Sequence, residues 1–266
     1  MSKLLVRSKD LESSGRLLDI TPESAGWGYV GFAVDRLDAG DVMENQTGDR
    51  ELCLVVLGGK VDITVGSERF VDVGERQSVF DDIGPHAIYM PPGITFKIAA
   101  KQNAELAFCT APGKGTFPVR HITPEMTEII ERGSGTNLRL VRNILSEEDP
   151  ADSLLVVEVI TPNGHWSSYP PHKHDTEALP SESFLEETYY HRLNPSQGFA
   201  FQRVYTDDRS LDETMAVEDG DVVMVPKGYH PVGAPYGYDL YYLNVMAGPE
   251  RCWRFKNDPD HEWILK

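Results

Sequence analysis

Residues 164–175 read GHWSSYPPHKHD, and the two histidines in that stretch, His172 and His174, decide how the chain is read. Residues two apart on a strand point to the same side, so both imidazoles can face one interior point. Pro170 and Pro171 just upstream suit a strand start or a sheet edge. Downstream lie Glu177, Glu182, Glu186 and Glu187, and VVMVPKGYH at residues 222–230 places His230 just past a Pro226-x-Gly228 turn. That turn can aim a side chain back into the mouth of a barrel. Two or three imidazoles with one carboxylate form a common ligand set for zinc, manganese, iron or nickel. The candidate ligands are therefore His172, His174, His230 and one of the later glutamates.

Outward from this stretch the chain is a series of short β-rich runs cut by Gly, Pro, Asn and Asp. Examples are LCLVVL (52–57), KVDITV (60–65), LLVVEVI (154–160), TYYHRL (188–193) and FAFQRVY (199–205). Such spacing predicts an all-β protein built as sandwiches or closed barrels. The clearest helix signal is TPEMTEIIER (123–132), with Thr123 as N-cap, Pro124 at the first helical position and acids in the first turn. The chain also repeats. Glu51 opens ELCLVVLGG and Glu187 opens ETYYHRLNP; IYMPPG ends at Gly93 and VVMVPKG at Gly228. From Glu51 to Pro91 is 40 positions, and from Glu187 to Pro226 is 39. The expected organisation is one barrel over residues 1–120, a connector with a short helix over 121–150, and a second barrel over 151–266.

The formal net charge is −17. Phosphate binding needs clustered cations, so nucleic acid and anionic membrane surfaces are not expected partners. No apolar run reaches the roughly 20 residues needed to cross a bilayer, and MSKLLVRSKDLESSG has no signal-peptide core, so a cytoplasmic protein is expected. The three cysteines, Cys53, Cys109 and Cys252, are odd in number and widely spaced. They read as structural thiols rather than as a disulfide framework or a CxxC pair.

The His-x-His pair, the later Glu and the His after a Gly-x5-Pro-x-Gly turn resemble the cupin family, with Gly220, Pro226 and Gly228 in that turn spacing. The resemblance implies two cupin-like barrels in tandem, a bicupin, with His172, His174, Glu187 and His230 as metal ligands. Two features depart from the pattern. The 12 residues between His174 and Glu187, DTEALPSESFLE, make a longer gap than is usual, and only Tyr229 separates Gly228 from His230. The insertion leaves Glu177 and Glu187 both open as the fourth ligand. Glu187 is preferred because it opens a β run and because Glu51 occupies the matching place in the first half. The first half has Met43-Glu44-Asn45-Gln46 before Glu51, Phe96 after its turn, and His86 ahead of the turn rather than behind it. One divalent metal per chain, zinc or manganese, is expected, with the first barrel metal-free.

The long strings NGHWSSYPPHKHD, EETYYHRLNPSQGFAFQRVYTDD and ETMAVEDGDVVMVPKGYHPVGAPYGYDLYYLNVMAGPERCWRF resemble the 5-deoxy-glucuronate isomerase family, relatives of the uronate ketol-isomerases. That resemblance implies conversion of the aldehyde 5-deoxy-D-glucuronate to the ketone 5-dehydro-2-deoxy-D-gluconate through an enediol, in myo-inositol breakdown. Such chemistry moves a proton between neighbouring carbons and needs an acid and a base. Strand alternation puts Tyr189 and His191 on the side of Glu187, which makes them the candidate proton carriers. Arg203, with Tyr205 on its side, is the candidate fork for the substrate carboxylate; Lys173 points away by parity. His165, His121 and His261 receive no role. The tyrosines Tyr236, Tyr238, Tyr241 and Tyr242 read as core or interface. The C-terminal PERCWRFKNDPDHEWILK docks on a barrel or on a neighbouring subunit of a homo-oligomer. The same ligand set also suits an Fe(II) dioxygenase, and a bicupin can bind sugar without turning it over.

Overall fold

The structure, a computed structural model, describes residues 2–266 and divides into two units. One comprises Ser8–Glu128 with Asn143–Val156; the other comprises the segment ending at Arg7, Ile129–Arg142 and Val157–Lys266. Residues 121–150, expected as a connector, are therefore shared out between the two units. Nearly every element is a strand; the α-helix among the described residues is the single turn Pro22–Ala25, started by a capping box from Thr21. No helix among the described residues is long and apolar enough to cross a membrane.

In the first unit a six-stranded sheet runs Arg120–Ile122, His86–Met90, Arg50–Gly58, Ala104–Pro112, Gly31–Leu37, Gly15–Ile20. A four-stranded sheet runs Val42–Gln46, Thr95–Ala100, Val61–Val65, Glu68–Val73. Alternate residues of the two sheets meet in one apolar core, with Leu52, Leu54 and Val56 from one side and Ile63, Phe96 and Ile98 from the other. The second unit repeats this plan. Its larger sheet contains, in order, Val222–Val225, Glu186–Asn194, Asp239–Ala247 and Leu155–Thr161. Its four-stranded sheet runs Trp166–Ser167, Val232–Gly233, Ala200–Tyr205, Asp212–Val217. A hydrogen bond between His191 and Gln202 joins the two sheets across the interior.

The duplication is real, but its register differs by one residue from the sequence match. Leu52 pairs with Met90, the residue before Pro91, and Glu187 pairs with Val225, the residue before Pro226. Leu52 is thus the counterpart of Glu187, and Glu51 is the counterpart of Glu186. The one-residue difference between the two Glu-to-Pro intervals is this shift, and a shift of one turns a side chain to the opposite face of a sheet. Glu51 accordingly leaves the barrel interior. Its carboxylate accepts the Tyr89 hydroxyl at 2.6 Å and the backbone N–H groups of Asp152, Ser153 and Leu154 at 2.8, 2.6 and 2.6 Å. It pins residues 152–154, and the interior position falls to an apolar leucine.

The helix expected from Thr123 to Arg132 does not form. Pro124–Met126 make one 3-10 turn, Thr123 makes no side-chain cap, and Ile130–Arg132 form a strand paired with Arg139–Val141. The β-branched pair Ile129-Ile130 favours extended backbone, and a cross-strand partner outweighs weak helix propensity.

Glu51→Ala should lower the stability of the first unit by about 2–4 kcal/mol, because it leaves the buried Tyr89 hydroxyl and Leu154 N–H and the half-buried Asp152 and Ser153 N–H groups without their acceptor. Urea unfolding checks the loss, and bound metal should not change.

Candidate metal centre and its cavity

His172 sits on the short strand His172–Lys173, which pairs with Lys256–Asn257 of the C-terminal segment; that segment therefore docks on its own barrel. His174 follows, and His230 comes from beyond the Pro226-x-Gly228 turn. Gly228 is left-handed, with φ of 93°, and a Cβ there would lie 2.5 Å from the Tyr205 carbonyl oxygen, so only glycine fits. Its N–H donates to Asp175 at 2.9 Å. One ring nitrogen from each of His172, His174 and His230 lies within 4.8 Å of the others, and all three residues are buried.

Backbone carbonyls orient two of the rings. His174 Nδ1 lies 3.1 Å from the Leu185 oxygen, and His230 Nδ1 lies 2.8 Å from the Gly228 oxygen. Donation from Nδ1 turns each Nε2 inward; on His230 that nitrogen is a lone pair, and on His174 it hydrogen-bonds Glu187. Glu187 Oε2 stands 3.1 Å from His174 Nε2 and 3.2 Å from His230 Nε2, and His230 Nε2 has no hydrogen-bond partner. Three ring nitrogens and a carboxylate that converge this closely suit a divalent cation. Burial pushes His172 well below the ordinary imidazole range, helped by the neighbouring His230 and His174. Burial also takes His230 down to about 4, against the Glu187 charge. For His174 burial acts downward too, but the hydrogen bond and charge of Glu187 win and its pKa is raised.

Glu177 is elsewhere. The 12-residue insertion folds as a hairpin, Asp175–Ala178 against Glu182–Phe184, and Glu177 is exposed on it. Glu182 accepts the Asp175 N–H at 2.9 Å. Lys173 points away from the imidazoles, with Nζ 2.6 Å from Asp175, 3.4 Å from Glu182 and 3.3 Å from Asp207.

A cavity of about 340 Å³ opens beside His172 and Glu187. Tyr189 lines it, with its hydroxyl 2.8 Å from Ser168 Oγ. Burial, and then the Glu187 charge, hold that phenol well above its ordinary pKa. Ser168 has φ of 49°, an uncommon conformation for a residue with a side chain, at the cavity wall. Tyr242, assigned from sequence to core or interface, lines the cavity as well, and its hydroxyl lies 2.5 Å from Ser167.

Three residues singled out from sequence stand apart. His191 shares the side of Tyr189 but sits outside the cavity lining, fully buried, with Nε2 bonded to Gln202 at 2.9 Å. Arg203 is a correction: strand Ala200–Tyr205 turns Gln202 and Val204 inward, and the Arg203 guanidinium forks onto Asp212 at 2.7 Å through two nitrogens. Tyr205 is a second correction; its hydroxyl donates to Asp258 at 2.7 Å, and its ring is flanked by Arg203 and Arg209. Neither reaches the cavity.

The cavity instead contains Arg132 and Arg139, which sequence reasoning placed in the connector, and Trp253, Phe255 and Asn257 from the C-terminal segment. One signal for Arg139 was present. Arg139 and Val141 alternate along RLVRNIL, as Val157 and Val159 do along LVVEVIT, and all four line the cavity. Nothing local in the sequence marks the C-terminal residues.

Paired antiparallel sheets closed into two similar units, one carrying three converging imidazoles and a glutamate, define a bicupin with one such donor cluster among the described residues. The chain belongs to the KduI/IolB family, which it matches over residues 4–264. It is 56% identical to a 5-deoxy-glucuronate isomerase of Geobacillus thermodenitrificans, across 100% of this chain and 97% of the relative. It is 52% identical to the protein of that name in Halalkalibacterium halodurans, across the whole of both chains. An IolB-like protein of Salmonella typhimurium superposes with a TM-score of 0.97 at 50% identity, covering 100% of each chain. Oxalate decarboxylase of Bacillus subtilis shares the fold, with a TM-score of 0.68 at 15% identity over 97% of this chain and 80% of that one.

Two outcomes follow from this geometry. Glu187→Gln should weaken zinc binding at least about tenfold, and Glu177→Gln should leave it unchanged, measured by metal titration against a chelator. His191 should give stability a pH dependence. Burial takes its pKa from 6.5 to about 4, so between those values the unfolded chain binds a proton that the native state refuses. Stability is therefore full above about pH 6.5 and falls on acidification, by about 2 kcal/mol at pH 5. Urea unfolding of wild type and His191→Gln at pH 7 and pH 5 should show the variant losing that much less.

Proposed function

We propose that the protein is an aldose–ketose isomerase that converts 5-deoxy-D-glucuronate to 5-dehydro-2-deoxy-D-gluconate. The observation that carries this reading is the convergence of His172, His174, His230 and Glu187 at the edge of a cavity walled by Tyr189 and Tyr242. Relatives more than half identical along the whole chain bear the corresponding name. In this reading the four residues hold one zinc or manganese ion per chain. An ion held there would supply Lewis-acid polarisation of the substrate carbonyl, which would acidify the neighbouring carbon.

The chain's own groups prepare the donor atoms and position a substrate oxygen. His172 and His230 are neutral at neutral pH because burial keeps protons off them, so their lone pairs are available. Carbonyls of Leu185 and Gly228 hold His174 and His230 in the tautomer that presents Nε2. Tyr189 keeps its proton and offers it to substrate oxygen, while Ser168 at 2.8 Å orients the hydroxyl and can relay the proton onward. Trp253 and Phe255 add apolar surface to one wall of the cavity. The first unit, with Leu52, Leu54 and Val56 in its interior, offers no comparable donor set.

Chelation should abolish isomerisation of 5-deoxy-D-glucuronate, and zinc or manganese should restore it. Elemental analysis should give close to one equivalent per chain. In deuterated water an enediol route should place solvent label on the product carbon next to the new ketone. Full activity after chelation, or a label-free product together with oxygen consumption, would reject the reading.

A further inference from the structure

The cavity carries two guanidinium groups that meet no carboxylate. Arg139 Nη1 donates to the Asn137 carbonyl oxygen at 3.1 Å and lies 3.5 Å from Asn137 Oδ1. Among the described residues neither Arg139 nor Arg132 has an acidic partner. Four other arginines of the same unit do: Arg7 pairs with Asp221, Arg142 with Glu158, Arg192 with Asp219 and Arg203 with Asp212. In a chain with 42 acidic residues against 25 basic ones, two cations without acidic partners on one cavity wall stand out.

Their placement is specific. Arg132 and Arg139 are direct cross-strand partners in the hairpin formed by Ile130–Arg132 and Arg139–Val141. Like charges at directly opposed positions repel, and an anion between them removes that repulsion. The bend is built around Gly133, whose φ is 82° and where a Cβ would lie 2.1 Å from the Asn137 oxygen and 2.9 Å from Arg139 Nη1. The turn thus brings Asn137 beside Arg139, which bonds it through Nη1 alone, and Arg139 lines the cavity. Both arginines line the same cavity as His172 and Glu187. They are therefore close to the donor cluster yet outside it.

We propose that Arg132 and Arg139 form the subsite for the carboxylate of the sugar acid, and so set which end of the substrate reaches the imidazoles. The proposal rests on the isomerase reading for the identity of the ligand; the anion site itself rests on the hairpin. A guanidinium pair matches a carboxylate with parallel charge-assisted hydrogen bonds. The substrate then lies with its carboxylate at the hairpin and its aldehyde carbon toward His172 and Glu187. The cavity, about 340 Å³, falls in the range of about 300–1,000 Å³ usual for small-molecule sites. The function expected of Arg203 passes to residues from a different part of the chain.

The test compares wild type, Arg139→Gln, Arg139→Lys and the Arg132→Gln/Arg139→Gln double variant, each with its metal content measured. The substrates are 5-deoxy-D-glucuronate and 5-deoxy-D-glucose, in which a primary alcohol replaces the carboxylate. Losing one charged fork should raise KM for the acid about 10–100-fold, with a much smaller fall in kcat. The preference for the acid over the alcohol should collapse by a similar factor, and Arg139→Lys should recover part of it. An unchanged preference in the metal-loaded double variant overturns the proposal. Calorimetry with D-glucuronate and D-glucose reads the subsite without turnover. If wild type isomerises neither sugar, the isomerase reading fails. In that case, loss of glucuronate binding in the double variant still supports the anion site, and equal binding in both proteins overturns it.

Discussion

The second unit is organised around one carboxylate. Glu187 Oε2 lies 3.1 and 3.2 Å from the inward nitrogens of His174 and His230, all three side chains being buried. An ionised carboxylate without a partner is expensive to bury, so something must meet it. The surrounding architecture makes sense in those terms. Carbonyls of Leu185 and Gly228 hold the two rings, and Gly228 takes a conformation no other residue could at that point. The insertion between His174 and Glu187 is folded aside as a hairpin, so the two ends of a long gap still meet. Lys173, whose charge would oppose a cation, is drawn off by Asp175 and Glu182.

The two units show how one plan serves two ends. They share strand order and pairing, and they differ in what fills the interior. Where one carries Glu187, Tyr189 and His191 on its inward face, the other carries Leu52, Leu54 and Val56. An apolar interior is stable without a ligand, because it buries surface and leaves no polar group to satisfy. Glu51 remains in the first unit, turned to the opposite face, where a phenol and three backbone amides satisfy it. Identical residue types one position apart along a strand thus have unrelated duties, one in a structural anchor and one in a donor cluster.

The all-β class and the tandem plan could be read directly from the chain. Short β-rich runs and a repeated Pro-x-Gly turn are local features, and local features survive folding. Alternation along a strand is also local, so it correctly put Glu187 and Tyr189 on one side and sent Lys173 away from the imidazoles. It misled where the face had no independent marker. Nothing near Arg203 says which side of its strand looks inward, and the structure turns Gln202 in and pairs Arg203 with Asp212 outside. The helix reading of residues 123–132 failed for a related reason. Propensity and capping are weak terms, and a partner strand seven residues further on supplies a ladder that they cannot match.

By itself the sequence determined which residue types are present, their periodicity along each strand and the turns between strands, and with them the barrel class and the imidazoles available to a metal. Tertiary structure alone decided which carboxylate stands beside those imidazoles, that Arg132 and Arg139 share a wall of the cavity, and that the C-terminal segment closes another. Those contacts join residues distant in the chain, so they depend on strand order and register. A register is chosen by the whole sheet at once, through the burial of many side chains, and no single stretch of residues contains it.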